Sequence, residues 1–98
     1  MTTRHRSAPA PARVLIADDD PRVRDRIEHL VLGAGFEPVT ARDGAQALER
    51  MDDTIAVALV DLYMPGRSGL DCLAEIRRWH PDAQVVMLAA EGGQTDTA

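Results

Sequence analysis

Apolar residues fall along this chain in three strong continuous runs and one weaker one. Between the runs they recur every three or four positions. Val14-Leu15-Ile16-Ala17 is followed at once by Asp18-Asp19-Asp20. An unbroken apolar run of this length suits a strand buried on both faces. Asp20-Pro21 then reads as an N-cap with proline at the first helical position. Val23, Ile27, Leu30 and Val31 follow at helical spacing, and Gly33 and Gly35 stop the helix. Phe36 to Thr40 is a weaker strand, placed at a sheet edge by Pro38. Asp43-Gly44 turns the chain, and Ala45, Leu48 and Met51 outline a short helix ending near Asp52-Asp53. Ile55 to Val60 is the second strong run, and it too ends in an acid, Asp61. A loop to Ser68 leads to a third helix over Gly69–Trp79, with Leu70, Leu73, Ile76 and Trp79 spaced for one face and Pro81 beyond its end. Gln84 to Ala89 is a fourth strand. The order β-α-β-α-β-α-β implies right-handed crossovers and a parallel sheet with helices on both faces.

Composition narrows the class. The chain has 98 residues, enough for one domain, with 45% hydrophobic and 28% charged residues, which fits a soluble globular protein. Residues 1–12 are short, polar and Pro/Ala-rich and read as a flexible tail, with the domain over 13–98. A net charge of −5 argues against nucleic acid as a partner of this chain. All eleven basic residues are arginine. The lone cysteine, Cys72, excludes an internal disulfide and a multi-cysteine metal site, and is compatible with a reducing, cytoplasmic setting. No apolar run approaches a membrane span, and no secretory signal is visible at the N-terminus.

The acids carry the chemistry. In an open parallel sheet, functional groups gather at the carboxyl ends of the strands. Asp18-Asp19 and Asp61 stand at two such ends. If those strands are neighbours, three carboxylates converge, and like charges that close call for a cation or a proton. Mg²⁺ is the simplest answer, since it takes one or two carboxylates and keeps waters. Such an ion bridges a carboxylate and a phosphoryl oxygen, and an aspartate can itself be the nucleophile.

VLIADDDP, followed by VDLYMPGRSGLDCLAEIRRWHPDAQVVMLAAEG, resembles the CheY-like receiver domain of two-component response regulators. The likeness runs in register over roughly residues 13–92, including Met64-Pro65 and Gly69 after the acid. It implies a flavodoxin-like doubly wound sheet, here incomplete, without the family's last helix, strand and helix. It implies that Asp61 accepts a phosphoryl group from a sensor histidine kinase or phosphotransfer protein. Asp18 and Asp19 match the acidic pair that binds Mg²⁺. Tyr63 matches the position whose backbone carbonyl ligates the ion, and its bulk is expected to shield the phosphoaspartate from water. Self-phosphorylation and slow self-dephosphorylation are then the only reactions, so no enzyme activity is expected.

The pattern breaks at two places. The family has Ser or Thr where this chain has Ala89, and it supplies a lysine from a fifth strand that this chain does not reach. Both groups neutralise the acyl phosphate, so slower transfer or a less stable product is expected. The fourth strand becomes an edge, inviting a dimer, and one sheet face is left apolar. EGGQTDTA reads like the start of a fourth helix, which favours a piece of a longer reading frame. A degenerate interaction module without a phosphorylation switch is the competing function. A haloacid-dehalogenase-type phosphatase ranks last, because Asp18-Asp19-Asp20-Pro21 does not fit its spacing and lysine is absent. Other features read as structural. Asp20 is a cap, and Asp43, Asp52 and Asp53 are solvated turn acids. Cys72 is a packing residue, Met64-Pro65-Gly66 shapes the backbone, and Arg77-Arg78 suits a helix end. The Arg22/Arg24/Arg26 cluster is solvated. His5, His29 and His80 neighbour no carboxylate in a ligand pattern.

Overall fold

Val14, Leu15, Ile16 and Ala17 are all buried, and a strand with no exposed face belongs in the middle of a sheet. The computed structural model, which describes residues 10–89, places them there. The elements are β1 (Arg13–Ala17), α1 (Pro21–Gly33), β2 (Glu37–Ala41), α2 (Gly44–Arg50), β3 (Ile55–Asp61), α3 (Gly69–Trp79) and β4 (Gln84–Leu88). The strands pair in parallel in the order β2-β1-β3-β4. This is a flavodoxin-like arrangement, in which the chain reverses direction across the sheet between β1 and β3. Pro38 lies in the edge strand β2, where its missing N–H costs least. The tail expected over 1–12 and the helix start expected after residue 89 lie largely outside the described residues; Ala12 already accepts from the Glu37 amide at 2.9 Å.

The core has two layers. On one face, Ala47 of α2 and Cys72 and Ile76 of α3 pack with Leu15, Ala17, Ala58 and Val60. On the other, Ile27 and Val31 of α1 pack with Val14, Ile16, Val57 and Leu59. Among the described residues α1 alone covers that second face. An apolar groove stays open there, lined by Leu30, Phe36, Val57 and Leu59 among others. The apolar patch expected from the sequence is therefore present.

Several helix stripes differ from their expected positions. In α3 the buried residues are Gly69, Cys72 and Ile76, while Leu70 and Trp79 are 60% and 64% exposed. The reason is α2: Cys72 Sγ lies 3.6 Å from the Gly44 carbonyl, so small residues set the helix–helix contact and rotate the larger ones outward. In α2 the buried residues are Gly44 and Ala47, and Ala45 is exposed. Leu30 is 68% exposed at the rim of the open groove. Met64 is a core residue as well as part of the turn. Asp43 is no idle turn acid; it caps α2, accepting from the Gln46 amide at 2.8 Å. His80 Nδ1 lies 3.1 Å from Asp53 Oδ1 at the end of α3, a single pair and no ligand cluster among the described residues.

Candidate functional site

The strand register brings the acids together. Ala17 pairs with Val60 across β1 and β3, so the next residues, Asp18 and Asp61, emerge side by side at the carboxyl edge. Asp19 joins them from the β1–α1 turn. One carboxylate oxygen from each of Asp18, Asp19 and Asp61 lies within 4.8 Å of the others. The three differ in exposure: Asp18 is 3% exposed, Asp61 is half-buried and Asp19 is open to solvent.

Local hydrogen bonds hold these side chains. Asp18 Oδ1 accepts from the Asp20 amide at 2.9 Å, and Asp20 in turn caps α1 by accepting from the Arg22 amide at 2.9 Å. Asp61 Oδ1 accepts from the Tyr63 amide at 3.1 Å, while the Tyr63 ring is 64% exposed. Behind Asp61, the Leu62 amide donates to the Leu88 carbonyl at 2.7 Å and the Gly69 amide to the Leu62 carbonyl at 3.1 Å. Gly69 has no room for a side chain. A Cβ there would strike the Asp61 carbonyl oxygen and come within 2.8 Å of Leu62 Cα. Gly66 sits at φ 78°, a left-handed backbone that glycine adopts at little cost, and so turns the loop between them.

The electrostatics of the pocket are unbalanced. Burial pushes the Asp18 carboxyl above the ordinary carboxylate range, with Asp19 and Asp20 adding to the rise and the Asp20 amide and Arg24 opposing it. Asp61 is also raised, first by burial and then by the charges of Asp18 and Asp19, against the pull of the Tyr63 amide. Three hard oxygen donors at this spacing, two of them reluctant to ionise, suit a small divalent cation that offsets their charge.

Ala89 follows Leu88, whose Cα partner is Asp61, so it stands at the same edge and presents only a methyl group. Arg24 is a correction to the sequence reading. It is half-buried, and its Nη1 donates to the Asp18 carbonyl at 2.9 Å, whereas Arg22 and Arg26 are exposed. Helical spacing gave no sign of this bond, since the side chain folds back over its own helix terminus.

Comparison with known proteins agrees with this geometry. The family model of the response regulator receiver domain matches residues 14–98. The transcriptional regulatory protein CpxR of Escherichia coli (strain K12) is 37% identical over 84 residues, covering 86% of this chain and 36% of that protein. The chain thus spans about a third of the length of such curated relatives. The response regulator TrrA of Thermotoga maritima, solved in complex with Mg²⁺-BeF, is 29% identical with a TM-score of 0.72, covering 82% of this chain and 72% of that one. The solved complex of histidine kinase ThkA with TrrA matches at 32% identity and a TM-score of 0.73, covering 87% of this chain and 75% of that one. With the fold, the converging acids and the family match in accord, the chain belongs to the receiver domains of two-component response regulators.

Proposed function

We propose that this receiver accepts a phosphoryl group on Asp61 from a sensor histidine kinase or a phosphotransfer protein, in a reaction that needs Mg²⁺. The observation that carries the reading is the convergence of Asp18, Asp19 and Asp61 at the carboxyl edge of the sheet. The Mg²⁺-BeF complex of TrrA and the complex of ThkA with TrrA support the choice of ion and of donor.

The residues divide the work. Asp18, Asp19, Asp61 and the Tyr63 carbonyl would hold the ion. When bound, it neutralises charge on the phosphoryl oxygens during transfer. The Tyr63 amide fixes one oxygen of Asp61 and leaves the other to attack phosphorus. A new P–O bond forms to Asp61 as the bond from phosphorus to the donor nitrogen breaks, and that nitrogen keeps the electron pair. The Gly69 approach keeps α3 from displacing the strand end that aims Asp61. The chain gains and loses this group without turning over an external substrate. The net charge of −5 speaks against nucleic acid as a contact of this chain.

Incubation with acetyl phosphate and Mg²⁺ tests the reading. A hydroxylamine-labile phosphate should appear, vanish with a chelator, and be absent from Asp61→Asn. Label that survives in Asp61→Asn would overturn it. Ala89 motivates a second reading, a receiver that works as an interaction module without a phosphorylation switch. A chain that takes no label under any condition would favour it.

A further inference from the structure

Asp18 is held through its amide, its carboxylate and its carbonyl. Its amide donates to the Ala41 carbonyl of β2 at 3.1 Å, and its Oδ1 accepts from the Asp20 amide at 2.9 Å. Its own carbonyl accepts from Arg24 Nη1 at 2.9 Å. That last partner sits in an unfavourable place. The Arg24 amide donates to the Asp20 carbonyl at 2.9 Å, so the residue belongs to the first turn of α1. A cation there faces the positive end of the helix dipole, and no acid lies in that turn to offset it. Arg22 is exposed and pairs with the capping Asp20, its Nε 3.5 Å from Oδ1, and Arg26 is exposed, whereas Arg24 is half-buried and turned back toward the pocket. The Asp18 carbonyl and the neighbouring acids are what compensate it.

We propose that Arg24 is a positioning residue for cation binding: by clamping the Asp18 carbonyl it fixes the β1–α1 turn and so aims the Asp18 and Asp19 carboxylates. The proposal rests on the functional reading above and adds to it a residue that touches neither the ion nor the phosphoryl group. The clamp joins the turn to the helix that follows it, just as the Ala41 carbonyl joins it to β2. Three acids that repel one another stay converged only if the backbone beneath them is fixed on both sides.

Calorimetric titration with Mg²⁺, on unsubstituted chain, Arg24→Met and Arg24→Lys, tests this at a temperature where melting curves show all three folded. Methionine keeps the length and helix propensity and removes the donor. It should weaken Mg²⁺ binding about tenfold, the size usual for loss of an outer-shell partner. Lysine keeps a donor and the charge and should recover most of that loss. Unchanged or tighter binding in Arg24→Met would overturn the proposal, and so would a lysine variant no better than methionine. If the unsubstituted chain itself binds no Mg²⁺, the functional reading falls and this proposal with it; equal affinities in all three overturn the proposal alone.

Discussion

At the scale of single residues, Asp18 and Asp61 bind their protons more tightly in the folded chain than the ordinary value of 3.8 implies, chiefly through burial. Folding without a cation is therefore penalised once both carboxyls ionise. The penalty is present above the folded pKa values and fades as pH falls through them. Asp61→Asn should accordingly raise the melting temperature of the cation-free chain by a few degrees at neutral pH. The gain should shrink on acidification toward the ordinary carboxylate range. Excess Mg²⁺ should reverse the order, stabilising the native chain more than the variant. Differential scanning calorimetry across pH checks all three statements. Tyr63 carries an exposed ring beside Asp61, and the expected shielding of a phosphoaspartate rests on that ring. Tyr63→Ala should shorten the phosphoaspartate half-life several-fold, and an unchanged half-life contradicts the shielding role. The three acids were legible in the sequence because each follows an apolar run. Arg24 was not, because a bond from a side chain to a backbone carbonyl across a turn leaves no periodic trace.

At the scale of elements, local signals placed the helices well. Asp20 with Pro21 marked the start of α1, whereas the Asp43 cap of α2 and the Ser68–Asp71 capping box of α3 came to light only in the structure. Which side of a helix is buried was less legible. Leu70 and Trp79 look like core by spacing, yet contact between α2 and α3 through Gly44 and Cys72 turns them to solvent. Gly69 is the element-level constraint on the site, since a methyl group there meets the Asp61 carbonyl and Leu62 Cα. Gly69→Ala should destabilise the fold by about 1–3 kcal/mol, as overpacking of a tight contact does. It should also weaken Mg²⁺ binding, because the strand end carrying Asp61 must shift. Urea denaturation and a Mg²⁺ titration read the two effects. A variant as stable as the parent would contradict the close packing of α3 on β3.

For the whole molecule, strand alternation implied a parallel sheet but left the adjacency of β1 and β3 as a condition, and the register meets it. Among the described residues one helix packs on the face of the sheet that carries the apolar groove. Val86, on the open side of β4, is 44% exposed. Pairing of two chains through β4, if it occurs, should weaken when Val86→Lys places a charge on that strand. Sedimentation velocity over a concentration series reads this, and a monomer at every concentration contradicts the pairing. The switch is less legible than the acceptor. Ala89, one residue past the partner of Asp61, has no hydroxyl to follow a phosphoryl group.

The most direct test locates the phosphoryl group. After incubation with acetyl phosphate and Mg²⁺, borohydride reduction converts an acyl phosphate of aspartate to homoserine, which peptide mass spectrometry finds in the sequence. The account predicts homoserine at position 61 and at neither position 18 nor 19. Homoserine at 18 or 19, or an unmodified Asp61 in a chain that carries label, would contradict it.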